Sequence, residues 1–428
     1  MHDNLKSKAS TEESGKDACA WDWSSWLPVI LCSVIIFATI PFARSFQKLV
    51  YNTIGREFFT YFVVTTVISG SVILLYFFIF RLKVMRISQY IWILICTGLY
   101  LYSTLQLDKH PEEAVHFLQY GILSYFIFRA LGRKIRDTTV YVSALFFVSF
   151  IGTMDEFLQW MMPQRIWDYR DIGLNIFAGG VCLLGIWKGI SPDTINKPVS
   201  KFSVKMLAGI MSANLLFIGL CLSNTPEVVG RYTAVADALS WLRDEESMTE
   251  FGFMHTDKEI GILYSRFMIE ELKDADINKG GYYGETLKSD IERGMDHDDL
   301  ITAHPLYMDK FLYEFLIHLA RRENNLLKTI ENDNTDKSRP AFIALKENLI
   351  LQRYFGNTLD HSGLQIPDDI YHELTELSSS WREDYSSNAG AQLITSFSHG
   401  TVRIVITFSL SLVWITYGVW RRKINIRT

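Results

Sequence analysis

Apolar residues in this chain are gathered into long runs separated by short polar connectors. The run Phe58 to Phe80 carries no charge and is long enough to cross a hydrocarbon core of roughly 30 Å. The pattern predicts eight membrane helices: Leu27–Ala43, Phe58–Phe80, Tyr90–Leu107, Val115–Leu131, Thr138–Trp160, Asp171–Lys188, Val204–Ser223 and Val402–Trp420. Backbone polar groups in lipid must be satisfied internally, so helices are what such runs form. Trp21, Trp23 and Trp26 read as an interfacial belt ahead of the first run. The stretch before it, Met1 to Asp22, is polar and is expected to be disordered. It lacks the layout of a signal peptide.

Between the last two runs lies a different kind of sequence, Asn224 to Gly400, whose apolar periodicity is helical. Ile260, Leu263, Tyr264, Phe267 and Leu272 form one expected face, and Phe311, Leu312, Phe315, Leu316 and Leu319 a second. Phe342, Leu345 and Leu349 begin a third. Ile370, Leu374 and Leu377 form a fourth, started by Pro367 and Asp368. Lys279-Gly280-Gly281, Asn332-Asp333-Asn334, Asn357 and Ser362-Gly363 read as the turns between them.

The expected fold class is therefore all-α: a polytopic membrane bundle of about eight transmembrane helices, with an all-helical domain inserted between the last two. The expected parts are a polar tail (1–26), the membrane bundle (27–223), the inserted domain (224–400) and a last transmembrane helix with a basic tail (401–428). Connector charge sets the expected orientation. Arg81, Lys83, Arg86, Arg133, Lys134, Arg136, Lys188, Lys197, Lys201 and the tail Arg421, Arg422, Lys423 and Arg427 fall on one side. Only Arg44, Lys48, Arg56, Lys109, Arg165 and Arg170 fall on the other. The positive-inside rule then puts both termini in the cytoplasm and 224–400 outside, in the cytoplasmic (inner) membrane of a cell.

Composition adds less. The net charge of −5 and the absence of a basic stripe argue against a nucleic-acid partner. Of the five cysteines, Cys19, Cys32, Cys96, Cys182 and Cys221, none follows Cys221, so the inserted domain can hold no disulfide. The others read as buried thiols in apolar runs.

The candidate chemistry concentrates between Thr153 and Gly180. Asp155, Glu156 and Gln159 close one run at helical spacing; Arg165, Asp168, Arg170 and Asp171 fill a connector that Pro163 helps to break; Asn175 lies inside the next run. Hydrocarbon penalises each such group by a few kcal/mol or more, so their retention suggests a job. His116, followed by Gln119 and Tyr120 at i,i+3 and i,i+4, opens the preceding helix at the same depth. A carboxylate beside a histidine suits acid–base work, which makes His116, Glu156 and Asp171 the candidate catalytic groups. Gln159, Arg165, Asp168 and Asn175 are the candidate substrate contacts, the arginine suiting a phosphate or carboxylate. Without paired histidines or cysteines, a metal held by His116 is the minor alternative. No cofactor is indicated. Interfacial salt bridges that fix loop geometry are the competing explanation for each residue taken singly. In the inserted domain, His297 in Asp296-His297-Asp298-Asp299 lacks the rest of a calcium loop and reads as a solvated acidic turn. His318, beside an apolar face, reads as a core or boundary residue.

His116, then Glu156-x-x-Gln159, Pro163-x-Arg165, Asp168-x-x-Asp171-x-x-x-Asn175 and Gly179-Gly180, resembles the pattern of the VanZ-like family over residues 90–187. The resemblance implies a bacterial cell-envelope setting and a bearing on glycopeptide antibiotic susceptibility; it supplies no reaction. Besides the lipid bilayer, the partners it suggests are an envelope lipid, a glycan precursor or a glycopeptide. Three classes of function stay open at this level. One is an envelope enzyme acting on a lipid-linked or amphiphilic molecule. Another is a non-catalytic binder or scaffold whose 224–400 segment recruits a protein partner. The third, a transporter, is weakest, because the polar groups gather at one face rather than at the midplane.

Overall fold

The computed structural model describes residues 23–107, 110–162, 165, 167–243, 247–306, 308–331, 336–390 and 393–427. The expected disordered tail, Cys19, Pro163 and the Asn332-to-Asn334 turn lie outside them. The described residues form two compact units: 23–162, 168–218 and 408–427 in one, and 165, 167 and 219–407 in the other.

The first unit is built of helices: α1 (Leu27–Thr53), α2 (Phe58–Tyr76), α3 (Ile87–Leu105), α4 (Val115–Gly132), α5 (Thr139–Trp160), α6 (Tyr169–Leu184) and most of α7 (Lys201–Leu222). Short π-turns, Phe77–Arg81 and Gly185–Ile190, extend α2 and α6. Its core lies where α4, α5 and α6 pack on one another. Phe117, Leu123, Ile127, Val140, Ala144, Val148 and Ala178 are all buried there. Gly179 makes the approach of α6 to α5 possible, since a Cβ built on it would stand 2.7 Å from Val148 Cγ1. Asp137, two residues before the start of α5, accepts the Thr139 N–H at 3.0 Å and the Ser203 hydroxyl of α7 at 2.5 Å.

The outer helices are apolar where they face outward. Ile35 of α1 is 62% exposed and Phe80 beyond α2 is 62% exposed, beside many like them. An apolar exterior of this extent fits hydrocarbon as solvent. Among the described residues seven helices are long and apolar enough to cross a membrane, the last being α15 (His399–Arg427). The protein is thus a helical, multi-pass membrane protein. The remaining expected span, Tyr90–Leu107, is the helix α3. It is not among those seven, Gln89, Tyr90, Tyr100 and Tyr102 interrupting its apolar run.

The second unit corrects the all-helical expectation. It contains α8 (Pro226–Thr233), β1 (Glu250–Phe251), β2 (Phe253–Asp257), β3 (Gly261–Ser265), α9 (Ile269–Glu292), α10 (His297–Ala303), α11 (Lys310–Glu331), α12 (Ser338–Tyr354), α13 (Gly356–Ser362), α14 (Asp368–Ser378), β4 (Ser386–Asn388) and β5 (Leu393–Ile394). β2 and β3 form an antiparallel hairpin with Met254 opposite Tyr264. β4 joins β3 in parallel, Leu263 opposite Ser387, and β1 pairs with β5 in parallel. Ile260, Leu263 and Tyr264 therefore belong to a turn and a strand. Gly261 holds φ +112°, and a Cβ on it would lie 2.3 Å from the Tyr385 carbonyl. That backbone is closed to a helix.

The glycines at 280 and 281 are likewise no turn. They lie inside α9, where Gly280 and Gly284 let α13 settle: a Cβ on Gly284 would stand 2.5 Å from His361 Cβ. The three other apolar faces sit on α11, α12 and α14. Phe311, Leu312, Phe315, Leu316 and Leu319 are all buried. His318 is fully buried, its Nδ1 2.7 Å from Glu347 Oε2. Asp296 caps α10, accepting from the Asp298 and Asp299 N–H groups at 3.0 and 2.9 Å, so the acidic turn is a helix start.

Candidate functional site

Three helix ends build the polar site of the first unit. The α4 end begins with a 3-10 turn, Pro111–Ala114, that runs straight into the helix. One turn further, His116 stacks on Tyr120 with ring centroids 6.0 Å apart, as i,i+4 neighbours can. Tyr120 is fully buried and donates its hydroxyl to Asp155 Oδ2 at 2.9 Å, joining α4 to α5. The other carboxylate oxygen, Asp155 Oδ1, is buried and accepts no hydrogen bond among the described residues.

Along the last turn of α5, Gln159 donates to Glu156 Oε1 at 3.0 Å. Glu156 Oε2 accepts the Asp168 N–H at 3.4 Å, a long contact that ties α5 to the start of α6. Asp168 caps that helix, accepting the Arg170 N–H at 2.7 Å. The Arg170 guanidinium is half exposed and pairs with Glu113 of the 3-10 turn. Asp171 is half-buried, and its charge bears on Glu156, Asp155 and Glu113.

Asn175, nearly two turns into α6, is fully buried, and neither atom of its amide has a partner among the described residues. Gly152 of α5 is what lets it in. A Cβ at Gly152 would stand 3.1 Å from Asn175 Cβ and 3.5 Å from the Tyr120 ring. A buried amide with no partner costs about 1–3 kcal/mol, so its retention argues for a visiting group.

The expected site residues thus sort as follows. Glu156, Gln159 and Asp168 are joined by hydrogen bonds, and Asp171 is their electrostatic neighbour. His116 and Asn175 meet the same cluster through Tyr120 and Gly152. Arg165 is half-buried and falls with the second unit. Tyr120, Asp155 and Glu113 were not among the expected catalytic or substrate-binding groups. The spacing signal existed for two of them: Tyr120 follows His116 by four residues, and Asp155 precedes Gln159 by four.

The site is rich in carboxylates and largely buried. Such a place favours cationic or hydrogen-bond-donating groups and repels anions. Among the described residues no three His, Cys, Asp or Glu side chains are grouped so as to hold a metal ion. No protein family, curated protein or solved structure matches this chain.

Proposed function

We propose that this multi-pass membrane protein is VanZ-like and binds the polar head of a lipid-linked or amphiphilic cell-envelope molecule at the α4–α6 cluster, with the cluster and residues 224–400 on the outer side. The observation that carries the reading is Asn175: a fully buried amide with neither atom paired, set beside the Tyr120–Asp155 hydrogen bond. Buried polar groups are nearly always paired, and an exception next to acids and a histidine supports a ligand-binding role. The preferred head carries hydroxyls or an amine, because Asp155, Glu156 and Asp171 accept hydrogen bonds and Asn175 both accepts and donates. Acid–base chemistry on that head falls to Glu156 and His116.

A deletion strain complemented with Glu156→Gln tests this, read by envelope lipid composition and glycopeptide susceptibility. If Glu156 moves a proton, the function falls by about 10²–10⁴-fold at unchanged membrane abundance. A purely structural Glu156, anchoring the Asp168 N–H, would instead lower the amount of folded protein while each molecule stayed active. Normal abundance with a normal phenotype contradicts any role for this carboxylate.

A further inference from the structure

A groove of about 350 Å³ runs along the flank of the first unit between α2, α3, α4 and α6, bounded by Gly70, Cys96, Tyr100, Gly121, Cys182 and Gly185 among others. That volume is in the range of about 300–1,000 Å³ typical of small-molecule sites. Its surface is mainly apolar, and the hydroxyls along it, that of Tyr125 apart, are already engaged. Ser71 and Thr97 are hydrogen-bonded to each other at 2.7 Å, Thr66 donates to Phe62 O at 2.8 Å, and Tyr100 donates to Ala178 O at 2.6 Å. With so few polar atoms left to satisfy, water gains little there, and hydrocarbon is the fitting occupant.

Groove-lining and cluster residues share one face of α6. Asp171, Asn175, Ala178, Cys182 and Gly185 follow one another at i, i+4, i+7, i+11 and i+14, a single helical stripe. Asn175 and Gly185 are then roughly 15 Å apart along the axis. On α4 the same step holds. His116 and Tyr120 belong to the cluster, while Phe117 and Gly121, their immediate successors, line the groove. Tyr100 also lines the groove, its ring 5.8 Å from that of Phe117.

We infer that groove and cluster are one binding site for a single-chain amphiphile, its alkyl or isoprenoid chain in the groove and a neutral or cationic, hydroxyl- or amine-bearing head against Asn175 and Asp155. This rests on the reading of the cluster as a head-group site, and adds that the chain is recognised too. The unpartnered Asn175 amide is the independent sign of a ligand at the polar end.

The test reconstitutes the full chain in phosphatidylcholine vesicles doped with an alkyl glucoside carrying a diazirine in its chain, or with the matching alkyl sulfate. After irradiation, labelled residues are mapped by mass spectrometry. Gly70→Trp plugs the groove, since a Cβ on Gly70 meets nothing within 4 Å; Gly98→Trp, on the exposed side of α3 and equally open, is the control. Gly70→Leu repeats the test with a smaller plug if the tryptophan variant does not insert. The expected result is groove labelling several-fold stronger with the glucoside, lost in the Gly70 variants and kept in Gly98→Trp. Asn175→Leu should erase the preference between heads while leaving the chain labelled. Labelling that the Gly70 variants leave untouched overturns the groove and leaves the head-group reading standing. Equal labelling by both probes in the wild type overturns the head-group reading, and this inference with it.

Discussion

Asp257 shows how much one side chain can organise. It closes the β2–β3 hairpin by accepting the Glu259 and Ile260 N–H groups at 2.9 and 3.0 Å, and it pairs with Arg353 of α12. Partial burial pushes its carboxyl up, but those N–H groups and the guanidinium outweigh it and hold the value down at about 2, against an ordinary 3.8. A folded value below the ordinary one adds stability that is complete above about pH 4 and is lost as the pH falls toward 2. Asp257→Asn should therefore destabilise the detergent-solubilised protein at neutral pH, and the deficit should shrink on acidification through that window. Unfolding midpoints of the two proteins against pH check this; a constant difference contradicts it. At this scale the sequence was readable where chemistry is local. Gln159 meets Glu156 because i,i+3 neighbours share a face, whereas Asp296, read as part of a solvated acidic turn, caps a helix whose first residues supply the N–H groups. That Tyr120 would reach Asp155 was not readable, because that bond spans two helices whose packing no local pattern encodes.

Elements divide the same way. The membrane helices were legible because uncharged runs of spanning length have few alternatives in lipid, and the observed bounds differ mainly by extension: α1 runs on to Thr53 and α15 to Arg427. The strands of the second unit were not legible. Ile260, Leu263 and Tyr264 have spacings that suit a helix as well as a turn followed by a strand, and β4, which completes the sheet, lies far downstream. Two glycines in a row read as a turn by habit of composition. In α9 they serve helix contact, since the Cβ positions of Gly280 and Gly284 are occupied by α13. Gly179 was readable for the opposite reason: small residues in an apolar helix usually mark close packing, and Val148 is what it meets.

For the whole molecule, the proposed outward placement of residues 224–400 rests on connector charge together with helix parity, and parity turns on whether α3 crosses. Asp369, exposed on α14, is a suitable reporter. In intact cells, an impermeant maleimide should label Asp369→Cys above the wild-type blank; labelling that appears only after lysis contradicts the orientation. The central claim, that the α4–α6 cluster exists to hold a ligand, has a more direct test in Asn175→Leu. Removing an unpaired buried amide at nearly constant shape relieves a cost of about 1–3 kcal/mol. A ligand that binds only the folded state raises the unfolding midpoint. The measurement is the thermal unfolding midpoint of both proteins in lipid-free detergent, with and without an envelope lipid extract. The account predicts that Asn175→Leu starts higher and gains little from the extract, while the wild type starts lower and rises. A variant that starts lower than the wild type, or that rises as much with the extract, would contradict it.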